Sequence, residues 1–192
     1  MTVPATQDHL ARKIQTSRWR QSAGCASDAI RADALTRDLQ TRDDALSWWS
    51  CSGEGSTGQP DPPDKASQSA AEVALALAAS REHVETIEMV LFARKSLLDG
   101  GFGLSPSDGD TPVADLRDRH VDMVGLDADR LIDLARRVAE AARREHPTLY
   151  RVTKKQLKHL LAQAVSNGRL NLEDLKVGVQ KDVREALGSE LS

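Results

Sequence analysis

Arg12, Lys13, Arg18 and Arg20 flank Trp19 with no acid between them. Cations around an aromatic ring suit a phosphate-bearing strand, because phosphates pair with the charges while bases stack on the ring. A second basic cluster, Arg151, Lys154, Lys155, Lys158 and His159, falls at the start of an expected helix. Cations in a first helical turn oppose the dipole, so their placement there points to an acidic partner, phosphate or protein. Solvated charge on a helix surface is the plain alternative for both clusters.

Other chemistries have less behind them. The five histidines, His9, His83, His120, His146 and His159, form no H-x-x-x-H, H-E-x-x-H or Cys/His spacing, and no metal site is expected. His120 and Asp122 share one face of an expected strand, with Asp118 close by, which is the nearest approach to a His–carboxylate pair. A solvated strand edge explains that pair equally well, and His83 with Glu85 is a weaker version of it. Gly100-Gly101-Phe102-Gly103 lacks the Lys-Ser/Thr of a phosphate loop and the third glycine of a dinucleotide fingerprint, so it reads as a turn and no cofactor is expected. Asp108 and Asp110 lack the further oxygen ligands of a calcium loop. No G-x-S-x-G is present, and Cys25 and Cys51 read as ordinary thiols. No catalytic residue is assigned.

The secondary structure that carries these residues follows from periodicity and punctuation. Thr153-Lys154-Lys155-Gln156 has the form of a capping box, and Leu157, Leu160, Leu161, Ala164 and Val165 then recur at helical spacing up to Gly168, a fitting C′ residue. A preceding helix, 128–145, carries Leu131, Leu134, Ala135, Val138 and Ala142 on one face; a last one carries Leu175, Val179, Val183 and Leu187. The short Pro147–Val152 connection is expected to bring the helices on either side of it together as neighbours, with the last helix closing the third side. Leu134, Leu157, Leu160 and Leu161 are then expected among the most buried residues.

Upstream, a short helix is expected near Asp33–Leu39, an alanine-rich helix over Ala70–Ser80, and strands at Ala45–Cys51 and His120–Val124. The run Ile87 to Phe92 fits a buried strand or a continued helix, with strand preferred. Adjacent strand residues face opposite ways, so Trp48 and Trp49 are expected to divide between core and a contact surface. Gly, Ser, Pro and Asp dominate Ser50–Ser67, which reads as an exposed connector. The expected organisation is a basic N-terminal segment with a short helix and Trp-containing strand (1–50), a flexible connector (51–67) and a main domain (68–192). The fold class is α+β: about three short strands covered by four or five helices, with a helical C-terminal half.

Composition sets outer limits. With 29 acids against 26 bases the net charge is -3, so no global field draws the chain to nucleic acid. No apolar run is long enough to cross a bilayer, and the N-terminus lacks a signal-peptide layout. Two cysteines in unrelated contexts fit a reducing cytoplasm. Abundant Ala and Arg suggest a bacterial gene of high GC content. Together these features lead to the expectation of a non-catalytic accessory or adaptor subunit in a bacterial multi-protein system, of the antiviral-defence or mobile-element kind. Arg12, Lys13, Arg18, Trp19, Arg20, Trp49, Arg151, Lys154, Lys155 and Lys158 would meet the partner. The alternative expectation is a nucleic-acid-binding module using the two basic clusters, and the third an enzyme with a site near His120 and Asp122.

Overall fold

The computed structural model describes residues 8–20, 29–51, 63–143 and 148–190. In chain order it runs β1 (His9–Ile14), α1 (Thr16–Trp19), α2 (Ala32–Asp38), β2 (Leu46–Ser50), α3 (Pro63–Ala79), β3 (Ile87–Ala93), α4 (Arg94–Asp99), β4 (Gly103–Pro106), β5 (His120–Val124), α5 (Ala128–Arg143), β6 (Leu149–Val152), α6 (Lys154–Ser166) and α7 (Val177–Glu190). Most of the 51–67 connector, and Cys25, lie outside the described residues. Cys51 is a buried free thiol, and burial pushes its pKa up to about 12.

The strands form one six-stranded antiparallel sheet in the order β4-β5-β2-β1-β3-β6. This corrects the expected sheet of about three strands. The chain is α+β, but the strands at 46–50, 87–93 and 120–124 are joined by three that the sequence hid. β1 lies inside the segment read as basic, β4 starts at Gly103 in the stretch read as a turn, and β6 lies inside the 147–152 connection. At the sheet edge β4 can carry Pro106, whose missing N–H costs nothing there.

Both faces are covered, which produces two separate cores. On one face Leu10, Trp48, Val90, Val121 and Met123 pack with Trp19, Ala34, Phe102 and the Leu134–Val138 side of α5. On the other, Ala11, Trp49, Ile87, Met89 and Leu91 meet α3, α6 and α7 through residues such as Val73, Leu157, Leu161, Val179 and Val183. Trp48 and Trp49 do point to opposite faces, but both are buried, at 0% and 5% exposure. Trp49 packs in the core against the second helical layer.

The helix packing also differs from expectation. Leu134, Leu157 and Leu161 are fully buried, while Leu160 is only partly so. α6 packs on α7 and α3, but α5 belongs to the other core. The reason is β6: four residues of the connection enter the sheet beside β3, and the chain leaves on the other side of the layer. The capping box at Thr153 and Gln156 is formed, and Gly168 sits at φ +69° just past α6. That left-handed conformation is cheap only for glycine.

Candidate functional site

Strands, helices and a turn meet at one end of the sheet to form a cleft of about 940 Å³. Lys13, at the C-terminal end of β1, and Ser47 and Trp49 of β2 supply its floor. The α1 segment brings Arg18 and Arg20, α2 brings Arg37 and Asp38, and the turn after α3 brings Arg81 and Glu85. Arg12, Arg151 and Glu88 complete the charged lining, so seven cations face three carboxylates. Clustered like charge in a concave wall focuses field far more than the chain's net charge suggests.

Asp38 organises the inner wall. Only 7% exposed, its carboxylate accepts from the Gln15 backbone at 2.8 Å, the Trp19 indole at 2.7 Å and the Arg18 guanidinium at 2.6 Å. Its backbone carbonyl accepts two bonds from Arg12, and a third Arg12 nitrogen donates to the carbonyl of Ser47. Arg12 therefore meets its hydrogen bonds with carbonyls, and burial lowers its pKa to about 10 against the opposing pull of Asp38. Lys13 is lowered to about 8, first by burial and then by Arg81, while Glu85 works in the opposite direction. No carboxylate among the described residues lies within ion-pairing distance of Lys13, Arg20, Arg37 or Arg81.

The structure splits the residues singled out from sequence. Arg12, Lys13, Arg18 and Arg20 line the cleft, and of the second cluster only Arg151 joins them, 3.8 Å from Glu88. Lys158 is held by Asp182 at 2.6 Å and Glu185 at 3.1 Å, and Lys154 lies 3.7 Å from Asp182. Asp182 and Glu185 of α7 thus give Lys154 and Lys158 acidic partners within the chain. Lys155 is exposed, away from the cleft lining. Trp19 is 3% exposed, and Trp49, though it lines the cleft, only 5%, so neither offers a free ring for a base to stack on.

His120 has a setting that sequence spacing did not show. Its Nε2 is 2.5 Å from the Ser47 hydroxyl, its Nδ1 is 2.7 Å from the Ser107 hydroxyl, and its ring meets Trp49 edge-on at 5.1 Å. Antiparallel pairing explains the geometry: Trp49 lies opposite His120 and Ser47 opposite Asp122, which puts all four on one face. Burial lowers the His120 pKa, Asp122 opposes that shift and Arg12 adds to it. Gly109 closes the loop over this group. A methyl there would come within 2.5 Å of the Trp49 ring.

Asp38, Ser47, Arg81 and Ser107 were missed because each owes its place to strand register or loop packing, neither of which leaves a local motif. Among the described residues, no group of three or more His, Cys, Asp or Glu side chains could hold a metal ion, and no helix is long and apolar enough to cross a membrane. No protein-family model, curated protein or solved structure matches the chain.

Proposed function

We propose that the chain binds a small phosphate-bearing ligand, of nucleotide size, in the basic cleft. The observation that supports this most is the set of four cations, Lys13, Arg20, Arg37 and Arg81, that share the cleft without a carboxylate partner among the described residues. Guanidinium groups match phosphate oxygens in pairs, and a volume near 940 Å³ is at the upper end of the usual range for small-molecule sites. The reading takes up the cationic part of the nucleic-acid expectation and drops its second cluster. It also drops strand binding, because Trp19 and Trp49 are buried.

Calorimetric titration with pyrophosphate and ATP tests the reading. Binding of both at low salt, weakened by added salt and by Lys13→Ala with Arg81→Ala, is the expected result. Failure of either probe to bind, or binding indifferent to the double substitution, would overturn it. Tighter binding of a single-stranded oligonucleotide than of ATP would restore the strand reading instead.

A further inference from the structure

We infer that Ser47 is a nucleophile activated by His120, and that the cleft hydrolyses a carboxylic ester bearing a phosphate group. The substrate class rests on the binding reading above; the nucleophile rests on the separate geometry of Ser47, His120 and Ser107.

Ser47 is exposed and lines the cleft, so its hydroxyl is open to a ligand seated there. Its oxygen lies 2.5 Å from Nε2 of His120, well inside the reach a general base needs. The other ring nitrogen is 2.7 Å from Ser107 Oγ. With the ring proton on Nδ1, that nitrogen donates to Ser107 and leaves the Nε2 lone pair aimed at Ser47. Ser107 is thereby a positioning residue, in the place that a carboxylate takes in a Ser-His-Asp triad. The Ser107 backbone N–H also donates to the His120 carbonyl at 3.2 Å, so loop and strand are tied at two points. The backbone of Ser47 is fixed in turn by the Arg12 guanidinium on its carbonyl.

Positive charge lies where the reaction needs it. β1 and β2 pair Leu10 with Ser50 and Ala11 with Trp49, and beyond those pairs Lys13 and Ser47 both line the cleft. Lys13 and Arg81, both lining the cleft, can face the phosphate of the substrate and the oxyanion that forms on its carbonyl.

The steps balance without any cofactor. Ser47 Oγ attacks the carbonyl carbon as its proton passes to Nε2, forming the Oγ–C bond and an oxyanion. Collapse breaks the C–O bond to the leaving alcohol, which takes the proton from Nε2. Water then attacks the acyl carbon and gives a proton to Nε2. When the C–Oγ bond breaks, that proton returns to Ser47. The net reaction is ester plus water to acid plus alcohol.

Labelling the full chain with a fluorophosphonate, followed by peptide mass spectrometry, tests the nucleophile. The expected result is one adduct, on Ser47, formed at least 100-fold more slowly in His120→Asn and at least tenfold more slowly with saturating pyrophosphate. Turnover of 4-nitrophenyl phosphonoacetate should exceed that of 4-nitrophenyl acetate by about tenfold or more in kcat/KM, and should vanish in Ser47→Ala. Ser107→Ala should lower kcat with KM unchanged, and Ser107→Thr should restore it. Circular dichroism melting of each variant separates loss of chemistry from loss of fold. A wild-type protein that binds pyrophosphate but takes no label at Ser47 overturns the nucleophile and leaves the binding reading standing. Labelling that pyrophosphate does not slow overturns the substrate class.

Discussion

The two basic clusters look alike in sequence and end in opposite situations. The N-terminal one enters the middle of the sheet and a cleft wall, where Arg12 is matched by carbonyls and Lys13 by no carboxylate within ion-pairing distance among the described residues. The C-terminal one opens a helix packed on α7, whose Asp182 and Glu185 neutralise Lys154 and Lys158. What separates them is the topology that decides which carboxylates come near. A run of cations becomes a site where the fold withholds counter-charge, and an intramolecular strut where the fold supplies it.

The largest effect is expected from removing the carboxylate that organises the cleft wall. Asp38→Ala leaves the Trp19 indole, the Gln15 N–H and the Arg18 charge without their acceptor. Chemical denaturation is expected to show a loss of about 3 kcal/mol, the scale for breaking one side of a buried pair. A loss below about 1 kcal/mol would mean the wall does not depend on Asp38.

Next in size is ligand affinity. Lys13→Ala with Arg81→Ala should weaken pyrophosphate binding by about 10- to 100-fold, or roughly 1.4–2.8 kcal/mol. Replacing Lys154, Lys155 and Lys158 together by Ala should leave it within about twofold. Equal losses in the two variants would erase the distinction between the clusters.

A smaller effect comes from pH. The pKa of Lys13 is near 8 in the fold against an ordinary 10.5, so between those values the unfolded chain holds more protons than the folded one. This group's contribution to stability therefore rises from about pH 8 to 10.5, its cost being present in full below pH 8. Anion binding runs the other way: affinity should fall by about threefold from pH 7 to 9 as Lys13 loses its charge. Binding enthalpies at pH 8 in buffers of different ionisation heat should reveal proton uptake on binding.

The smallest effect is expected at the neutralised cluster. Asp182→Asn should cost about 0.5–1 kcal/mol in denaturant melts, the range for ion pairs with access to water. A cost near that of Asp38→Ala would make the two clusters energetically alike.

The legible parts of this fold were those written locally. The capping box at Thr153, the α6 stripe and the glycine after it are all readable within about fifteen residues. β1 was illegible because Arg12 and Lys13 interrupt its alternation, and only the distant carbonyls of Asp38 and Ser47 make a cation acceptable mid-strand. β6 was illegible because four residues after a proline resemble a connector, and that one omission moved α5 to the wrong side of the sheet. Lys13, Arg18 and Arg20 were visible as candidates. Ser47 and Ser107 were not, since they meet His120 only through the β2–β5 register and the loop closed by Gly109.

Burial of all three tryptophans gives the chain a set of internal lamps. Trp48 sits in the dry core 6.0 Å from Phe92, Trp19 donates to a carboxylate, and Trp49 touches both the cleft and the His120 ring. An excited indole passes an electron to a neighbouring imidazolium but not to a neutral imidazole, so Trp49 emission should dim only at pH values below the usual histidine range. A ligand entering the cleft should alter the light from Trp49 and leave that of Trp48 unchanged. Single-tryptophan variants would then report each side of the sheet separately, without any attached dye.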